Sequence, residues 1–396
     1  MTAPVSICMI VKNESKQIEA CLKSIRPHVA QICIVDTGST DNTPEICKKY
    51  ADIFEIWTGC NGPDGKIENF SKARNRSLSL ATQPWVMWID GDDEVSGAEH
   101  LEALIIAQDA DRNGQPRLVL FQYEYAHDDH GNPIVLHWRE RLVTPKEHFE
   151  WRGAVHEVLV PKLQCPFKDS DLIKIIHRRD MAKMMGDQTR NLRILQANYE
   201  IEGDKDVRSL YYLGLEYGYV GDLDNAIKFH EKYVELSGWD DEKALSMLKL
   251  ADHFLMKDNS KKSLDWALRA TMVCETWGET YFSIARTHYL MAQRGIDEPR
   301  NWRKCVHFAR LGLSLPPTKT VLFVNPLERE VEIHRFLNFA LNKLGDVAGA
   351  RESVLTALKK YPDDQGLKEN LRLYEIHLAK IEMANLQTKL NILEAK

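Results

Sequence analysis

The chain has 396 residues, 44% of them hydrophobic and 28% charged, which is enough for two or three globular domains. Its net charge of −6 excludes a strong overall attraction to nucleic acid or anionic membranes, although local basic patches are compatible with it. The eight cysteines form no Cys-x-x-Cys pair, which favours a reducing compartment over a disulfide framework or a zinc site. No segment approaches the roughly 20 apolar residues of a membrane span, and residues 1–11 lack signal-peptide features, so a cytoplasmic protein is expected.

Four short apolar runs predict buried β-strands, at residues 5–11, 31–35, 53–57 and 85–89. Segments with helical spacing separate them, including one that carries Ile18, Cys21, Leu22 and Ile25. The resulting β-α-β-α-β-α-β order predicts a mainly parallel sheet with right-handed crossovers. In such sheets, ligands bind beyond the carboxyl ends of the strands.

Polar residues directly follow three of these predicted strands. Asn13 and Glu14 follow the first, Asp36 follows the second, and the run Asp90-Gly91-Asp92-Asp93-Glu94 follows the fourth. Carboxylates clustered at the end of a buried strand are a common way of holding a hard divalent cation. A solvated acidic turn is the alternative for the run alone. Since carboxylates occur at the other strand ends as well, the pattern favours a metal site.

The same region resembles the family-2 glycosyltransferases with a GT-A fold. Four motifs carry the resemblance: Ile-Val-Lys-Asn-Glu (10–14), Val-Asp-Thr-Gly-Ser-Thr-Asp-Asn-Thr (35–43), Phe-Ser-Lys-Ala-Arg-Asn (70–75) and Trp-Ile-Asp-Gly-Asp-Asp-Glu (88–94). The resemblance implies inverting transfer of a sugar from a nucleotide-diphosphate sugar, with Mn²⁺ or Mg²⁺ at the Asp-x-Asp-like motif. A UDP-sugar is favoured, although the sequence does not identify the nucleotide.

The chemistry of such a transfer suggests roles for the carboxylates. A divalent cation bridging the two phosphates offsets the charge that develops on the departing nucleoside diphosphate. Asp92 is the expected direct ligand, with Asp93 as second choice and Asp90 near the ribose or the metal-bound water. Asp36 resembles the family residue that contacts the base.

Further residues are expected on the nucleotide side of the site: Asn13, Glu14, Lys72, Arg74, Arg139 and Arg141. The planar fork of Arg74 suits uracil edges or phosphate, whereas a solvated helix face is the alternative for Arg74 and Lys72. Arg139 and Arg141 are expected to gather phosphate charge.

A predicted hairpin, with strands near 118–125 and 134–141, precedes a second set of motifs. Arg-Glu-Arg-Leu (139–142) and Trp-Arg-Gly-Ala-Val-His-Glu (151–157) resemble a branch of the same family that carries tetratricopeptide repeats behind its catalytic domain. Arg178 and Arg179 are candidates for an acceptor groove, with a solvated turn as the favoured alternative.

Glu157 and His156 are the candidates for the base that an inverting transferase needs on the acceptor side. Adjacent strand residues point to opposite faces, so one of the two is expected to face the cleft. An imidazole suits Mn²⁺, so His156 is a candidate third metal ligand while Glu157 acts as base. The reverse division stays open, as do Asp128 or Asp129 as base and a purely structural role for the pair.

From about residue 184, apolar residues recur at helical spacing almost to the end of the chain. The spacing of a tetratricopeptide repeat is kept by two groups: Gly214, Tyr217, Gly221-Asp222, Ala226 and Tyr233, and Gly345-Asp346, Ala350, Ala357 and Pro362. Since helix pairs of about 34 residues cannot bury their apolar faces alone, a stacked solenoid is predicted.

We therefore predict an α/β GT-A domain (Rossmann-like, mainly parallel) in residues 1–183, with a nucleotide-sugar and metal half in 1–115 and an acceptor half in 116–183. An all-α tetratricopeptide-like region follows in 184–365, with capping or dimerising helices in 366–396. The predicted acceptor is macromolecular: protein or peptide, lipopolysaccharide core, or a modified DNA base. The alternative function is a protein-binding scaffold with an inactive glycosyltransferase-like domain.

Overall fold

A computed structural model describes residues 2–178 and 189–394, which form two compact units. The first comprises Met1–Asp128, Val135–Val220 and Val321–Phe323, and the second comprises Asp129–Ile134, Gly221–Thr320 and Val324–Lys396. The predicted boundary at 183/184 and the candidate Arg179 lie outside the described residues, and the predicted domain limits stay a prediction. Within the described part, none of the helices has the length and apolar character needed to cross a membrane.

The sheets are built from ten described strands. They are β1 (Ala3–Val11), β2 (Val29–Asp36), β3 (Ile53–Ile56), β4 (Trp85–Trp88), β5 (Asp93–Ser96), β6 (Arg117–His127), β7 (Pro133–Thr144), β8 (Phe149–Arg152), β9 (Val158–Pro161) and β10 (Phe167–His177). Eight form one sheet in the order β3-β2-β1-β4-β7-β6-β10-β5, and β8 pairs with β9.

The first four strands are parallel, in the order β3-β2-β1-β4. This arrangement confirms the predicted mainly parallel α/β sheet. Their apolar side chains form one core: Ile7 and Met9 of β1, Ile32 of β2 and Met87 of β4 are fully buried. Strands buried on both faces read as continuous apolar runs, which is why the sequence identified them.

Six described helices belong to the first unit: α1 (Ile18–Ile25), α2 (Thr43–Cys47), α3 (Phe70–Ser79), α4 (Leu101–Arg112), α5 (Arg190–Glu202) and α6 (Val207–Tyr219). Helix α1 buries the four apolar residues whose spacing predicted it. Helix α3 is capped by Asn69, whose side chain accepts a hydrogen bond from the backbone N–H of Lys72. This cap fixes the helix that carries Arg74 toward the carboxyl edge of the sheet.

The second unit is helical. Its described helices are α7 (Leu223–Leu236), α8 (Asp240–Met256), α9 (Ser260–Val273), α10 (Gly278–Gln293), α11 (Glu298–Ser314), α12 (Ile333–Lys343), α13 (Val347–Leu358) and α14 (Gln365–Glu394). Short 3₁₀ or π segments also occur among the described residues, at Arg26–His28, Ala98–His100, Lys146–His148, Gly203–Lys205 and Glu328–Glu332.

The repeated Gly-Asp pairs are turns between helices. Gly221 and Gly345 adopt φ of 80° and 85°, a left-handed conformation that glycine takes without steric cost. Asp222 and Asp346 then cap α7 and α13 by accepting backbone hydrogen bonds. Asn259 caps α9 in the same way. These turns, with buried alanines at the helix contacts, confirm the predicted tetratricopeptide-like helical region.

Candidate active site

The acidic turn after β4 is held tightly against the start of α1. A Cβ placed on Gly91 would lie 2.9 Å from Cγ of Glu14 and 3.4 Å from Cδ1 of Ile18. Only glycine therefore lets the turn pass so close to the segment that follows β1. The turn leads directly into β5, which begins at Asp93.

Asp93 is a fully buried anchor of this turn. Its Oδ1 accepts a hydrogen bond from Oη of Tyr123 (3.0 Å), and its Oδ2 accepts from Nη1 of Arg141 (3.2 Å) and from the backbone N–H of Asp90 (3.0 Å). Arg141 is also buried, with its guanidinium 3.7 Å from the ring centroid of Trp88. The structure therefore sets the guanidinium of Arg141 against Asp93, and its contact with a phosphate stays a prediction.

One group of three potential metal ligands exists among the described residues: Asp92, Asp93 and His177, whose ligand atoms lie within 4.8 Å of one another. Strand β10 pairs antiparallel with β5, and this register sets His177 opposite Asp93. Nδ1 of His177 lies 3.5 Å from Oδ1 of both aspartates, and it is buried without a hydrogen-bond partner. The ring of Tyr125 stacks on the imidazole at 5.0 Å and holds its orientation.

The electrostatics of this group distinguish Asp92 from its neighbours. The pKa of Asp92 is raised to about 7, mainly by burial; the charges of Asp90, Asp93 and Glu14 also raise it, and His177 lowers it. Burial opposes the charged form of His177, but Asp93, Asp92 and Asp90 raise its pKa overall. A carboxylate that is costly to ionise and partly exposed is suited to accept a cation.

The residues present fit a divalent cation. Asp92 and His177 retain free ligand capacity, whereas both oxygens of Asp93 are already hydrogen-bonded. A mixed carboxylate and imidazole set suits Mn²⁺ better than Mg²⁺, which prefers oxygen ligands.

Arg74 links two other predicted site residues. Its Nη2 donates to Oδ1 of Asp90 at 2.7 Å, and its Nε donates to Oε1 of Glu157 at 2.5 Å. The guanidinium lies against the rings of both Trp88 and Trp151, at 4.7 and 4.8 Å from their centroids. Burial opposes the charge of Arg74, but Asp90 and Glu157 raise its pKa above the ordinary value. Asp90, Arg74 and Glu157 therefore form one chain of charges at the edge of the sheet, in which Arg74 and Glu157 are buried and Asp90 is partly exposed.

His156 belongs to a different network in the first unit. It has a φ of 53° in the loop between β8 and β9, so its side chain diverges from that of Glu157. Nε2 lies 3.1 Å from Oε1 of Glu216, and the ring stacks on Tyr212 at 4.0 Å. Of the adjacent residues His156 and Glu157, the structure brings only Glu157 to Arg74 and Asp90. The imidazole that lies beside Asp92 belongs to His177, not to His156. The base and the third ligand stay predictions.

The ends of β1 and β2 form a second polar group. Asp36 is fully buried; its Oδ1 accepts from the N–H groups of Gly38 and Ser39, while its Oδ2 has no hydrogen-bond partner. The side chain of Asn13 accepts from the N–H of Thr40 at 2.8 Å and so joins the two loops. The orphaned oxygen of Asp36 is suited to accept one further N–H donor.

Lys72 and Arg139 occupy separate surroundings. Lys72 lines a cavity of about 420 Å³ together with Lys66, Arg193 and the loop 59–69. Arg139 donates to the backbone oxygen of Glu157 at 3.3 Å and lies 5.1 Å from the ring centroid of Trp88. The structure therefore places Arg139 beside the Arg74 chain of charges, and Lys72 in the lining of a separate cavity.

Two contributors to the site were missed by the sequence reasoning, His177 and Tyr123. The available signal was a β-type run, Ile173–Ile176, that ends in a histidine immediately before Arg178. Arg178 itself pairs with Glu94 at 2.8 Å. Placing His177 at the carboxylates requires the long-range pairing of β10 with β5, which local spacing does not reveal.

The N-terminal region is similar in sequence to known glycosyltransferases. Residues 6–156 match the family model described as glycosyl transferase family 2. The chain is 35% identical over 98 residues to the SPbeta prophage-derived glycosyltransferase SunS of Bacillus subtilis, an alignment that covers 23% of this chain and 21% of SunS. It is 31% identical over 115 residues to the lipopolysaccharide core biosynthesis glycosyltransferase LpsC of Rhizobium meliloti, covering 27% and 38% of the two chains.

Solved structures resemble the chain only distantly. The crystal structure of MamA matches with a TM-score of 0.36 and 18% identity, over 46% of this chain and 96% of that one. Residues 1–349 of TarS from S. aureus match with a TM-score of 0.34 and 12% identity, over 69% and 91%. The curated relatives are matched over about a fifth to two-fifths of their own length.

Proposed function

We propose that this chain, whose N-terminal domain is a family 2 glycosyltransferase domain, is an inverting, metal-dependent transferase acting on a nucleotide-diphosphate sugar. The observation that carries the proposal is the position of Asp92 Oδ1, 3.5 Å from the non-hydrogen-bonded Nδ1 of His177 and beside the Asp90–Arg74–Glu157 chain. A scaffold has no physical reason to keep a buried carboxylate cluster that is costly to ionise.

Asp92 and His177 are the proposed ligands of Mn²⁺, with Mg²⁺ as the second choice. The bound cation would supply electrostatic stabilisation of the departing diphosphate. Asp93 positions the turn through Tyr123 and Arg141, and it contributes negative charge without needing to bind the ion directly.

The nucleotide is proposed to lie toward the ends of β1 and β2. Oδ2 of Asp36 is an unpartnered acceptor, which suits the ring N–H of uracil and supports a UDP-sugar. Asn13 fixes the loop beside it. Arg74 orients Asp90 for the ribose side while it holds Glu157 in place.

Glu157 is the proposed base on the acceptor side, because it is joined to the same chain of charges as Asp90. Arg74 fixes one carboxylate oxygen, so the group is oriented for a proton held by an acceptor hydroxyl or thiol. His156 is proposed to position the loop between β8 and β9 through Glu216 and Tyr212.

A macromolecular acceptor is proposed, either a protein or peptide or a lipopolysaccharide core. The similarity to LpsC, named for lipopolysaccharide core biosynthesis, supports the second class, and a helical repeat region beside a transferase domain supports the first. A modified DNA base is the third candidate.

All eight cysteines are free and seven are buried, which supports a reducing, cytoplasmic location.

The test is Mn²⁺-dependent hydrolysis or transfer with a panel of nucleotide sugars and candidate acceptors, followed by mass spectrometry. We expect one donor to be consumed by the wild type and not by Asp92→Ala. The matched control is Glu99→Gln, an exposed carboxylate on the same unit, which should retain full activity. Equal turnover by Asp92→Ala would contradict the proposal.

A thermal-shift measurement separates the transferase from the scaffold. UDP-sugars with Mn²⁺ should raise the melting temperature of the wild type, because a ligand that binds only the folded state stabilises it. No shift with any nucleotide sugar would favour the scaffold.

A further inference from the structure

The last helix extends well beyond the core of the second unit. Leu367 and Tyr374 of α14 are buried in that core, and Leu371 and Leu378 pack against it. From residue 379 to residue 394, every residue is exposed. An isolated helix of such a length is only marginally stable in water, so this segment gains little from its own chain.

The exposed part of α14 carries a second apolar stripe. Its members recur at alternating spacings of three and four residues, as the a and d positions of a coiled coil do. They are Ile376, Ala379, Met383, Leu386, Leu390 and Leu393. The large members are exposed by 41–69%. Ile376 lies nine residues after Leu367, or about 180° around the helix at 100° per residue, so the stripe faces away from the packed side.

The positions that flank this stripe are charged in a self-complementary order. They are Glu375, Glu382 and Lys389 at the g positions and Lys380, Gln387 and Glu394 at the e positions. In a parallel pair of identical helices, Glu375 faces Lys380 of the second copy, and Lys389 faces Glu394. In an antiparallel pair whose apolar stripes coincide, Glu382 faces Lys389 of the second copy and Lys380 faces Gln387. Like charges meet in neither orientation.

We propose that this seam, residues 376–393, pairs two copies of the chain through a two-helix coiled coil. The charge pattern favours an identical helix over an unrelated partner, because in the parallel pair each lysine meets a glutamate of the second copy. It also argues against an anionic membrane, since the flanking positions carry three glutamates against two lysines.

The test is the mass of the full chain in solution by light scattering after size-exclusion chromatography, over a concentration series. We expect a concentration-dependent rise to twice the 45.6 kDa of one chain. The double variant Leu386→Glu/Leu390→Glu should stay at the mass of one chain. Both side chains are exposed in the single chain, so the folded structure and its circular dichroism should be kept.

Ile392→Glu is the matched control, because Ile392 is 56% exposed on the same helix but is not a member of the apolar stripe. This variant should still pair. A wild type of single-chain mass at every concentration, or pairing that survives Leu386→Glu/Leu390→Glu, would overturn the proposal. Donor hydrolysis should be equal in all three proteins, so the outcome is independent of the proposed transferase activity.

Discussion

Replacing Asp92 with asparagine should stabilise the metal-free protein. The carboxylate pays for ionisation in the folded state: burial raises its pKa from 3.8 to about 7, with Asp90, Asp93 and Glu14 adding to the effect and His177 opposing it. Asparagine has nearly the same shape and cannot ionise, so it removes this penalty. The same change removes a proposed metal ligand. The variant should therefore be more stable than the wild type without metal, but it should gain less stability from added Mn²⁺.

The size of the effect follows from proton linkage. A pKa raised from 3.8 to about 7 corresponds to up to about 4 kcal/mol in the free energy of unfolding, at 1.36 kcal/mol per pH unit. The stability that the neutral acid contributes is present below pH 4, falls as the pH rises toward 7, and is absent above pH 7. Asp92→Asn should therefore match the wild type at pH 4 and exceed it increasingly up to pH 8.

The assay is calorimetric melting in EDTA at pH 4, 6 and 8, repeated at pH 8 with Mn²⁺. In EDTA at pH 8, Asp92→Asn should melt higher than the wild type, by on the order of 10 °C if the whole penalty is recovered. Added Mn²⁺ should raise the wild type and leave the variant unchanged. A variant that melts below the wild type in EDTA at pH 8, or that keeps the full Mn²⁺ response, would refute the reasoning. Glu99→Gln serves as the charge-matched control.

Three further changes test other parts of the structure. His177→Gln should weaken Mn²⁺ binding at least tenfold in a titration followed by calorimetry, and an unchanged affinity would remove His177 from the proposed ligand set. Arg74→Met should destabilise the first unit by about 3–5 kcal/mol in urea unfolding, because the carboxylates of Asp90 and Glu157 lose their shared cation. A loss below about 1 kcal/mol would contradict a stabilising role for these ion pairs. Asp346→Ala should cost about 1 kcal/mol by removing a helix cap, whereas Asp346→Asn should cost much less.

The sequence reasoning succeeded where the information is local. The four parallel strands are apolar runs because both faces of the sheet are covered, and α1 was identified by the spacing of residues that the structure buries. The Gly-Asp turns between helices are also predictable from the sequence, because their geometry depends on a left-handed glycine and on the helix-capping aspartate beside it. In each case, one short segment contains the whole physical cause.

Contacts between segments that are distant in the sequence were not predicted. His177 reaches Asp92 only because β10 pairs with β5, a register set across some eighty residues of chain. His156 looked equivalent to Glu157 in the sequence, but a positive φ turns it toward Glu216 and Tyr212. Neither the strand register nor this backbone conformation is encoded in the spacing of nearby residues.

The acidic run shows how a fold assigns different roles to similar side chains. Asp90 is tied to Arg74, Asp93 is buried with Arg141 and Tyr123, and Glu94 pairs with Arg178 on the surface. Each of these carboxylates has a cation of its own. Asp92 has only the shared imidazole of His177, and its pKa is the one raised to about 7. The folded chain thus leaves one carboxylate incompletely compensated, which is the physical condition for binding a cation from solution.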